Sequence, residues 1–183
     1  MRLDNYLVEF KSVKSRSWAK KLINEQKVLV NNIPAKKAGL EISDKDEVSL
    51  IEDFKYVSRA GYKLEKALDE FKITVKGRVC LDVGASTGGF TDCLLQNGAR
   101  HVFGIDVGFD QMVPELRNNP KVTCLEKINA RMLDDLIRTK LLEPFNPIPD
   151  LIVADLSFIS LTLVLKAVVN AVAPNSEFII LIK

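Results

Sequence analysis

Cys80-Leu-Asp-Val-Gly-Ala-Ser-Thr-Gly-Gly-Phe-Thr-Asp92 is the stretch that decides the fold of this chain. It predicts a buried strand, a glycine turn and the first turn of a helix. Gly84 permits a sharp turn, and Gly88 and Gly89 would let a ligand approach the backbone closely. Because ligands in open α/β sheets bind outside the carboxyl ends of the strands, the stretch predicts a site for a nucleotide-like molecule.

Short apolar strands alternate with helices over residues 77–183, the range that we assign to the main domain. The predicted strands are Val79–Val83, His101–Asp106, Lys121–Leu125, Leu151–Asp155 and Glu177–Ile182. The predicted helices between them include Phe90–Asn97, Ala130–Thr139 and Leu161–Val172. This alternation is typical of an α/β fold with a parallel sheet covered on both faces.

Residues 1–57 predict a smaller α+β domain with a different pattern. A first helix carries apolar residues at helical spacing, and Ser15 is a candidate N-cap for a second helix over Trp18–Glu25. Short strands follow at Lys27–Asn31 and Val48–Ile51. Residues 58–76 then form a linker with a helix that leads into the main domain, and its predicted inward stripe is Leu64, Ala67, Leu68 and Phe71.

The composition excludes several classes of protein. The chain of 183 residues is 47% hydrophobic and 27% charged, which is typical of a soluble protein with a packed core. No apolar run reaches the roughly 18 residues of a membrane span, and no signal peptide is visible. Three scattered cysteines and one histidine argue against a disulfide framework, a metal site and a histidine-centred triad. We therefore expect a cytoplasmic protein.

Positive charge is concentrated at the start of the chain. Residues 1–40 hold nine Lys and Arg against three acids, whereas residues 41–60 hold three bases against six acids. A basic end on a nearly neutral body indicates a module that binds a polyanion.

Acidic residues at strand ends define the expected ligand. Asp106 lies about twenty residues after the glycine turn, where an acid can bind ribose hydroxyls of NAD or S-adenosylmethionine. The turn Gly84–Gly89 departs from G-x-G-x-x-G, which favours S-adenosylmethionine. Asp82 suits an ammonium group such as the α-amino group of methionine, although turn or capping acids are the alternative interpretation for both positions.

A second set of polar residues is expected at the same edge. Asp155 ends the fourth strand, and a lysine such as Lys183 after an apolar strand is costly unless it emerges there. Lys63 falls in the first turn of its helix, where the helix dipole disfavours a cation. We expect these three side chains to converge. Nearby, Ser157 and Ser160 are expected to cap the next helix, and Phe158 is expected either to stack on a base or to pack in the core.

The start of the chain resembles the RNA-binding domain named after ribosomal protein S-four. The matching residues are Met1–Leu7, Ser15-Arg16 with Ala19 and Leu22-Ile23, and Val28–Asn31, while Gln26-Lys27 stands where the family usually has glycine. The resemblance implies RNA contacts by Arg2, Lys14, Arg16, Lys20, Lys21, Lys27 and Arg59.

The second half is similar to the FtsJ-type ribose 2′-O-methyltransferases, and the whole chain resembles the TlyA family, whose members are often labelled hemolysins. The match is carried by Ser58-Arg-Ala-Gly-Tyr-Lys63-Leu, Asp82–Asp92, Ala154-Asp-Leu-Ser-Phe-Ile-Ser160 and Leu181-Ile-Lys183. It implies a Rossmann-like methyltransferase sheet that is incomplete after its fifth strand, with a later glutamate beyond Lys183. It also implies catalytic roles for Lys63, Asp155 and Lys183.

The resemblance implies S-adenosylmethionine as cofactor and ribosomal RNA or ribosomal subunits as partners, with no membrane and no metal. The expected cofactor contacts are Asp82, Gly84, Ser86, Gly88, Gly89, Phe90, Asp106, Val107, Asn129, Ala130 and Arg131. The predicted activity is ribose 2′-O-methylation of ribosomal RNA. The alternatives are a non-catalytic RNA-binding protein on a methyltransferase fold, or a hemolysin, which only the family label suggests.

Overall fold

The chain folds into two compact units, Met1–Lys55 and Tyr56–Lys183. The computed structural model describes residues 1–11, 13–50, 55–157 and 159–183. The boundary lies before Tyr56, so the helix that the sequence analysis assigned to a linker over 58–76 is part of the second unit. The reason is packing: Tyr56, Leu64 and Leu68 are buried in the same cluster as Cys80 of the main sheet.

The first unit combines two helices with a small antiparallel sheet. Helices α1 and α2 cover Leu3–Phe10 and Arg16–Asn24, and strands β1, β2 and β3 cover Val28–Val30, Ile33–Pro34 and Val48–Leu50, in the order β2-β1-β3. Ser15 caps α2 as predicted, since its Oγ accepts a hydrogen bond from the Trp18 amide at 3.2 Å. Ile51, predicted to end the last strand, lies outside the described residues.

The second unit is built on a five-stranded parallel sheet, which confirms the predicted α/β fold. Its strands are β4 (Val79–Val83), β5 (His101–Ile105), β6 (Val122–Leu125), β7 (Leu151–Ala154) and β8 (Glu177–Ile180). Its helices are α3 (Arg59–Phe71), α4 (Gly89–Gln96), α5 (Pro114–Arg117), α6 (Leu133–Arg138) and α7 (Leu165–Ala171). The strand order β6-β5-β4-β7-β8 places β4 at the centre.

Both faces of the sheet are covered. Cys80 of β4 packs in a cluster with residues of α3 and α4, whereas Leu81 and Val83 pack in a second cluster with residues of α6 and α7. Neighbouring side chains of a strand point to opposite faces, so a continuous apolar strand is what a sheet between two helical layers requires.

The second unit departs from the sequence analysis at two places. Phe71 is 68% exposed rather than inward, because α3 ends there and the next residue, Lys72, adopts a left-handed conformation with φ of 56°. The short helix α5 has no counterpart in the sequence analysis, and its first residue is Pro114 after an N-cap without a side-chain hydrogen bond.

A charged network joins the amino ends of three strands. Arg78 precedes β4, and its Nε donates to Asp150 Oδ1 before β7 at 3.3 Å. The same guanidinium donates to the Asp150 carbonyl oxygen and to Glu177 at the start of β8. This network therefore lies at the end of the sheet opposite the glycine turn that follows β4.

No helix within the described ranges has both the length and the hydropathy required to cross a membrane.

Candidate active site

A cavity of about 640 Å³ opens at the carboxyl ends of the central strands. Pockets for small molecules typically measure about 300–1,000 Å³, so the cavity is large enough for a nucleoside-sized ligand. Eight residues of the predicted cofactor set line it, namely Gly84, Ser86, Gly89, Phe90, Asp106, Val107, Asn129 and Ala130. They come from the segments after β4, β5 and β6, where ligands bind in open α/β sheets.

Asp106 joins two of the segments that surround the cavity. Its Oδ2 accepts a hydrogen bond from the Ser86 amide at 2.8 Å, and its Oδ1 accepts one from the Gly108 amide at 2.7 Å. An ionised carboxylate offers about four acceptor positions, so about two remain for hydroxyl groups of a ligand. Asp106 is thus both a structural link and a candidate ligand contact.

The start of α3 closes one side of the cavity through Gly89. A Cβ atom at Gly89 would lie 2.0 Å from Ser58 Oγ and 2.9 Å from Ala60 Cβ. The glycine is therefore required for the close approach of α3 to α4. Ser58 and Ala60 both line the cavity, and the sequence analysis missed them because it treated Ser58 only as part of a motif at the helix start.

Asp82 does not line the cavity, which corrects one predicted ligand contact. Its side chain is 1% exposed and accepts a hydrogen bond from Thr91 Oγ1 at 2.7 Å. Asp82 lies on the same face of β4 as Cys80, where Thr91 of α4 covers it, and it does not open into the cavity. Burial raises the pKa of Asp82 to about 7, although the hydrogen bond from Thr91 opposes this effect.

Gly88 and Arg131 also lie outside the cavity lining. Gly88 has φ of 95°, and a Cβ atom there would meet Leu116 Cδ1 at 2.4 Å, so the glycine is required by packing against α5. Arg131 is exposed in a 3₁₀ turn, and its amide donates to Asn129 Oδ1 at 3.1 Å. Asn129, which caps this 3₁₀ turn, does line the cavity.

The structure brings Lys63, Asp155 and Lys183 together at the rim of the cavity, where Asp155 and Lys183 belong to the lining and Lys63 pairs with Asp155 from outside it. Lys63 Nζ donates to Asp155 Oδ2 at 3.1 Å, and Lys183 Nζ lies 2.6 Å from Asp155 Oδ1. These residues come from α3 and from the segments after β7 and β8, so the fold assembles them from distant positions. Two cations share one carboxylate whose side chain is 15% exposed, which leaves a net positive charge at this point.

Lys183 makes its aligned hydrogen bond with Ser157 rather than with Asp155. The distance from Lys183 Nζ to Ser157 Oγ is 2.7 Å, whereas Asp155 Oδ1 receives an ion-pair contact without hydrogen-bond alignment. Neither serine acts as the predicted helix cap: Ser160 Oγ bonds to Thr162 Oγ1 at 2.8 Å and makes no capping bond. Phe158 lies outside the described residues.

In the first unit, a buried acid engages two of the predicted RNA-binding arginines. Asp4 is fully buried and accepts hydrogen bonds from Arg2 Nη2 at 2.9 Å and from Arg16 Nη2 at 3.3 Å. These bonds, above all those of Arg2, lower the pKa of Asp4 to about 2 against the opposing effect of burial. The two arginines therefore have a structural role that the sequence analysis did not assign.

The other predicted RNA contacts differ in exposure. Lys14, Lys20 and Arg59 are exposed, and Lys27 is half-buried. Lys21 lies over the Trp18 ring at 4.4 Å from its centroid. Arg59 belongs to the second unit, so the predicted set is divided between the two units.

Two family models match the chain. The model described as FtsJ-like methyltransferase matches residues 56–183, and the S4 domain model matches residues 1–48.

Curated and solved proteins are similar over most of the chain. "Hemolysin A" of Brachyspira hyodysenteriae is 46% identical over 163 residues, which cover 88% of this chain and 65% of that protein. "16S/23S rRNA (cytidine-2'-O)-methyltransferase TlyA" of Mycobacterium tuberculosis is 43% identical over 184 residues, which cover 100% of this chain and 66% of that protein. A solved structure from Streptococcus thermophilus, labelled a hemolysin, is 37% identical with a TM-score of 0.65 and covers 94% of this chain and 62% of its own. The chain thus spans slightly less than two thirds of the length of these relatives.

Proposed function

Because the chain belongs to the FtsJ-like methyltransferase family, we propose that it transfers a methyl group from S-adenosylmethionine to a ribose 2′-hydroxyl of ribosomal RNA. The observation that carries this proposal is the cluster of Lys63, Asp155 and Lys183 at the rim of a nucleoside-sized cavity. The relative from Mycobacterium tuberculosis is named as an enzyme of this activity on cytidines, so cytidine is the proposed target nucleoside.

The residues around the cavity suit S-adenosylmethionine. Asp106 would hold the ribose hydroxyls with its remaining acceptor positions, and the side chains of Val107 and Ile128 line an apolar part of the cavity for the adenine ring. When bound, S-adenosylmethionine supplies a methyl group that its sulfonium sulfur has already activated. The carboxylate of Asp106 favours a ligand with positive charge.

The lysine and aspartate cluster would prepare the acceptor ribose. A ribose 2′-hydroxyl is a weak nucleophile near neutral pH, so a base that takes its proton as it reacts lowers the barrier. Lys183 would take this proton with the lone pair of its uncharged amine. Asp155 would hold both lysines in position, because much of the catalysis consists of alignment.

The basic first unit would hold the RNA. Its exposed lysines, including Lys14 and Lys20, suit contacts with phosphate groups, and such contacts position a protein without reading the sequence. The S4 domain match over residues 1–48 supports this assignment.

The test measures methyl transfer and the position of the methyl group together. The chain is incubated with ribosomal subunits and S-adenosylmethionine carrying a labelled methyl group, and the RNA is then hydrolysed with alkali. A ribose 2′-O-methyl group removes the nucleophile for alkaline cleavage, so the label should be recovered in alkali-resistant dinucleotides. Label in mononucleotides would instead indicate base methylation and would contradict the proposal.

Matched lysine variants complete the test. Lys183→Ala should abolish transfer, whereas Lys166→Ala on the exposed side of α7 should retain it. RNA binding without transfer by the wild-type chain would favour the non-catalytic alternative.

A further inference from the structure

We propose that Ser157 is a positioning residue that directs the Lys183 amine toward the acceptor ribose. The inference rests on the proposed function, in which Lys183 takes the proton of the 2′-hydroxyl. It starts from the aligned hydrogen bond of 2.7 Å between Lys183 Nζ and Ser157 Oγ. Both residues line the same cavity, so the contact lies where the acceptor must bind.

The geometry of a tetrahedral nitrogen explains why this contact matters. Lys183 Nζ is bonded to its own Cε, donates to Ser157 Oγ and touches Asp155 Oδ1 at 2.6 Å. The covalent bond and the hydrogen bond fix two of the four directions around the nitrogen, and the attraction of Asp155 restrains the ammonium group further without an aligned hydrogen bond. Ser157 and Asp155 together therefore restrict the direction in which the amine, after proton loss, can accept a proton.

Asp155 alone would hold the amine less well. Its contact with Lys183 lacks hydrogen-bond alignment, and its other oxygen accepts from Lys63 at 3.1 Å. The side chain of Lys183 is 44% exposed, and a lysine carries its charge on a flexible stem. A second anchor is needed to restrict the rotation of the ammonium group, and a neutral hydroxyl provides it without adding negative charge.

Among the described residues, the Ser157 hydroxyl makes no other hydrogen bond, which agrees with this role. Ser157 follows Asp155 by two residues, and the 3₁₀ turn Leu161–Leu163 begins only after Ser160. Ser157 therefore does not cap that turn, and its hydroxyl is directed to the lysine instead.

The kinetic test compares the variants Ser157→Ala and Ser157→Thr with the wild-type chain of 183 residues. We expect Ser157→Ala to lower kcat by roughly 10- to 100-fold, since small errors of alignment can cost about 100-fold. The KM for S-adenosylmethionine should stay unchanged, and Ser157→Thr should restore kcat to within about threefold of the wild-type value, because threonine keeps the hydroxyl group. The control Ser160→Ala should retain the wild-type kcat.

A second measurement does not depend on activity. Nitrogen-15 spectra of lysine ammonium groups report how fast each exchanges its protons with water, and Lys183→Arg identifies the signal of Lys183. Wild type and Ser157→Thr should show a slowly exchanging signal that Ser157→Ala loses.

The outcomes separate the two proposals. An unchanged Lys183 signal or an unchanged kcat in Ser157→Ala overturns the positioning role. If the wild-type chain transfers no methyl group while the signal still depends on Ser157, the proposed function fails and the contact itself stands.

Discussion

Asp82 shows how burial couples one carboxyl group to the stability of the fold. Burial raises its folded-state pKa from 3.8 to about 7, and Thr91 only partly offsets this effect. The native state therefore holds the proton more tightly than the unfolded state between these two values. The contribution of Asp82 to the free energy of unfolding is therefore fully present below about pH 4 and is lost as the pH rises toward 7.

Asp82→Asn should remove this pH dependence. The amide stays neutral and its oxygen can still accept the hydrogen bond from Thr91, so the variant should match wild type near pH 4. At pH 8 it should be more stable by on the order of 4 kcal/mol, since one pKa unit corresponds to about 1.4 kcal/mol. Urea unfolding from pH 4 to pH 8 measures the difference, with the exposed Asp69→Asn as control. Parallel curves for wild type and Asp82→Asn would contradict the prediction.

Asp106→Ala should weaken the binding of S-adenosylmethionine by at least about tenfold. The change removes a charged acceptor at the cavity, and hydrogen bonds to charged groups contribute roughly 1.5–3 kcal/mol each. It also releases the amides of Ser86 and Gly108. Titration calorimetry gives Kd, and Asp110→Ala is the control because Asp110 pairs with Arg117 of α5 and does not line the cavity. Equal affinity in wild type and Asp106→Ala would exclude Asp106 from the binding site.

The two acids illustrate what the sequence could predict about the site. Both were expected to contact the ligand because both lie at the carboxyl ends of neighbouring strands. Asp82 lies inside β4, where the alternation of side chains places it with Cys80 under α4, whereas Asp106 follows the last residue of β5. The alternation of side chains along a strand distinguishes these two positions. The sequence does not show which helix covers each face of the sheet, because that depends on the tertiary fold.

At the scale of elements, the contact between α3 and α4 limits what residue 89 can be. Gly89→Ala should destabilise the second unit by about 1–3 kcal/mol, the usual effect of inserting a methyl group into tight packing. This outweighs the roughly 1 kcal/mol by which alanine favours a helix over glycine. Thermal unfolding measures the loss. Ser58→Gly in the same chain should recover part of it because the nearest atom, Ser58 Oγ, is removed; no recovery would place the clash elsewhere.

The strands of the second unit could be predicted to within two residues because each is an apolar run, whereas β2 of the first unit, Ile33–Pro34, was not predicted because two residues are too few to show a period. Two predicted helices begin with 3₁₀ turns, at Ala130–Met132 and Leu161–Leu163, and helix periodicity does not distinguish these from α-helix. The four residues of α5 are too few to show a period. Phe71 has the correct spacing for the inner stripe, but the helix ends at this residue and leaves it outside the packed layer.

At the scale of the whole molecule, the excess of positive charge in residues 1–40 should govern how salt affects RNA binding. Each phosphate contact contributes about 0.7–0.9 to the slope of log K against log salt. The double change Lys14→Gln and Lys20→Gln should therefore lower the slope by about 1.4–1.8. Filter binding to ribosomal RNA at several salt concentrations measures it. Lys140→Gln with Lys166→Gln in the second unit is the control, and an equal loss of slope in both pairs would contradict a localised RNA surface.

The Arg78 network has a consequence for the rates of folding and unfolding. It joins residues that are 72 and 99 positions apart, and contacts that close such long loops are expected to form after the transition state. Arg78→Met should therefore accelerate unfolding severalfold and leave the refolding rate nearly unchanged, which stopped-flow measurements in denaturant can resolve. Slower refolding in the variant would instead place the network in the folding nucleus. If unfolding accelerates as expected, these three charged side chains determine how long the sheet persists once formed rather than how quickly it assembles.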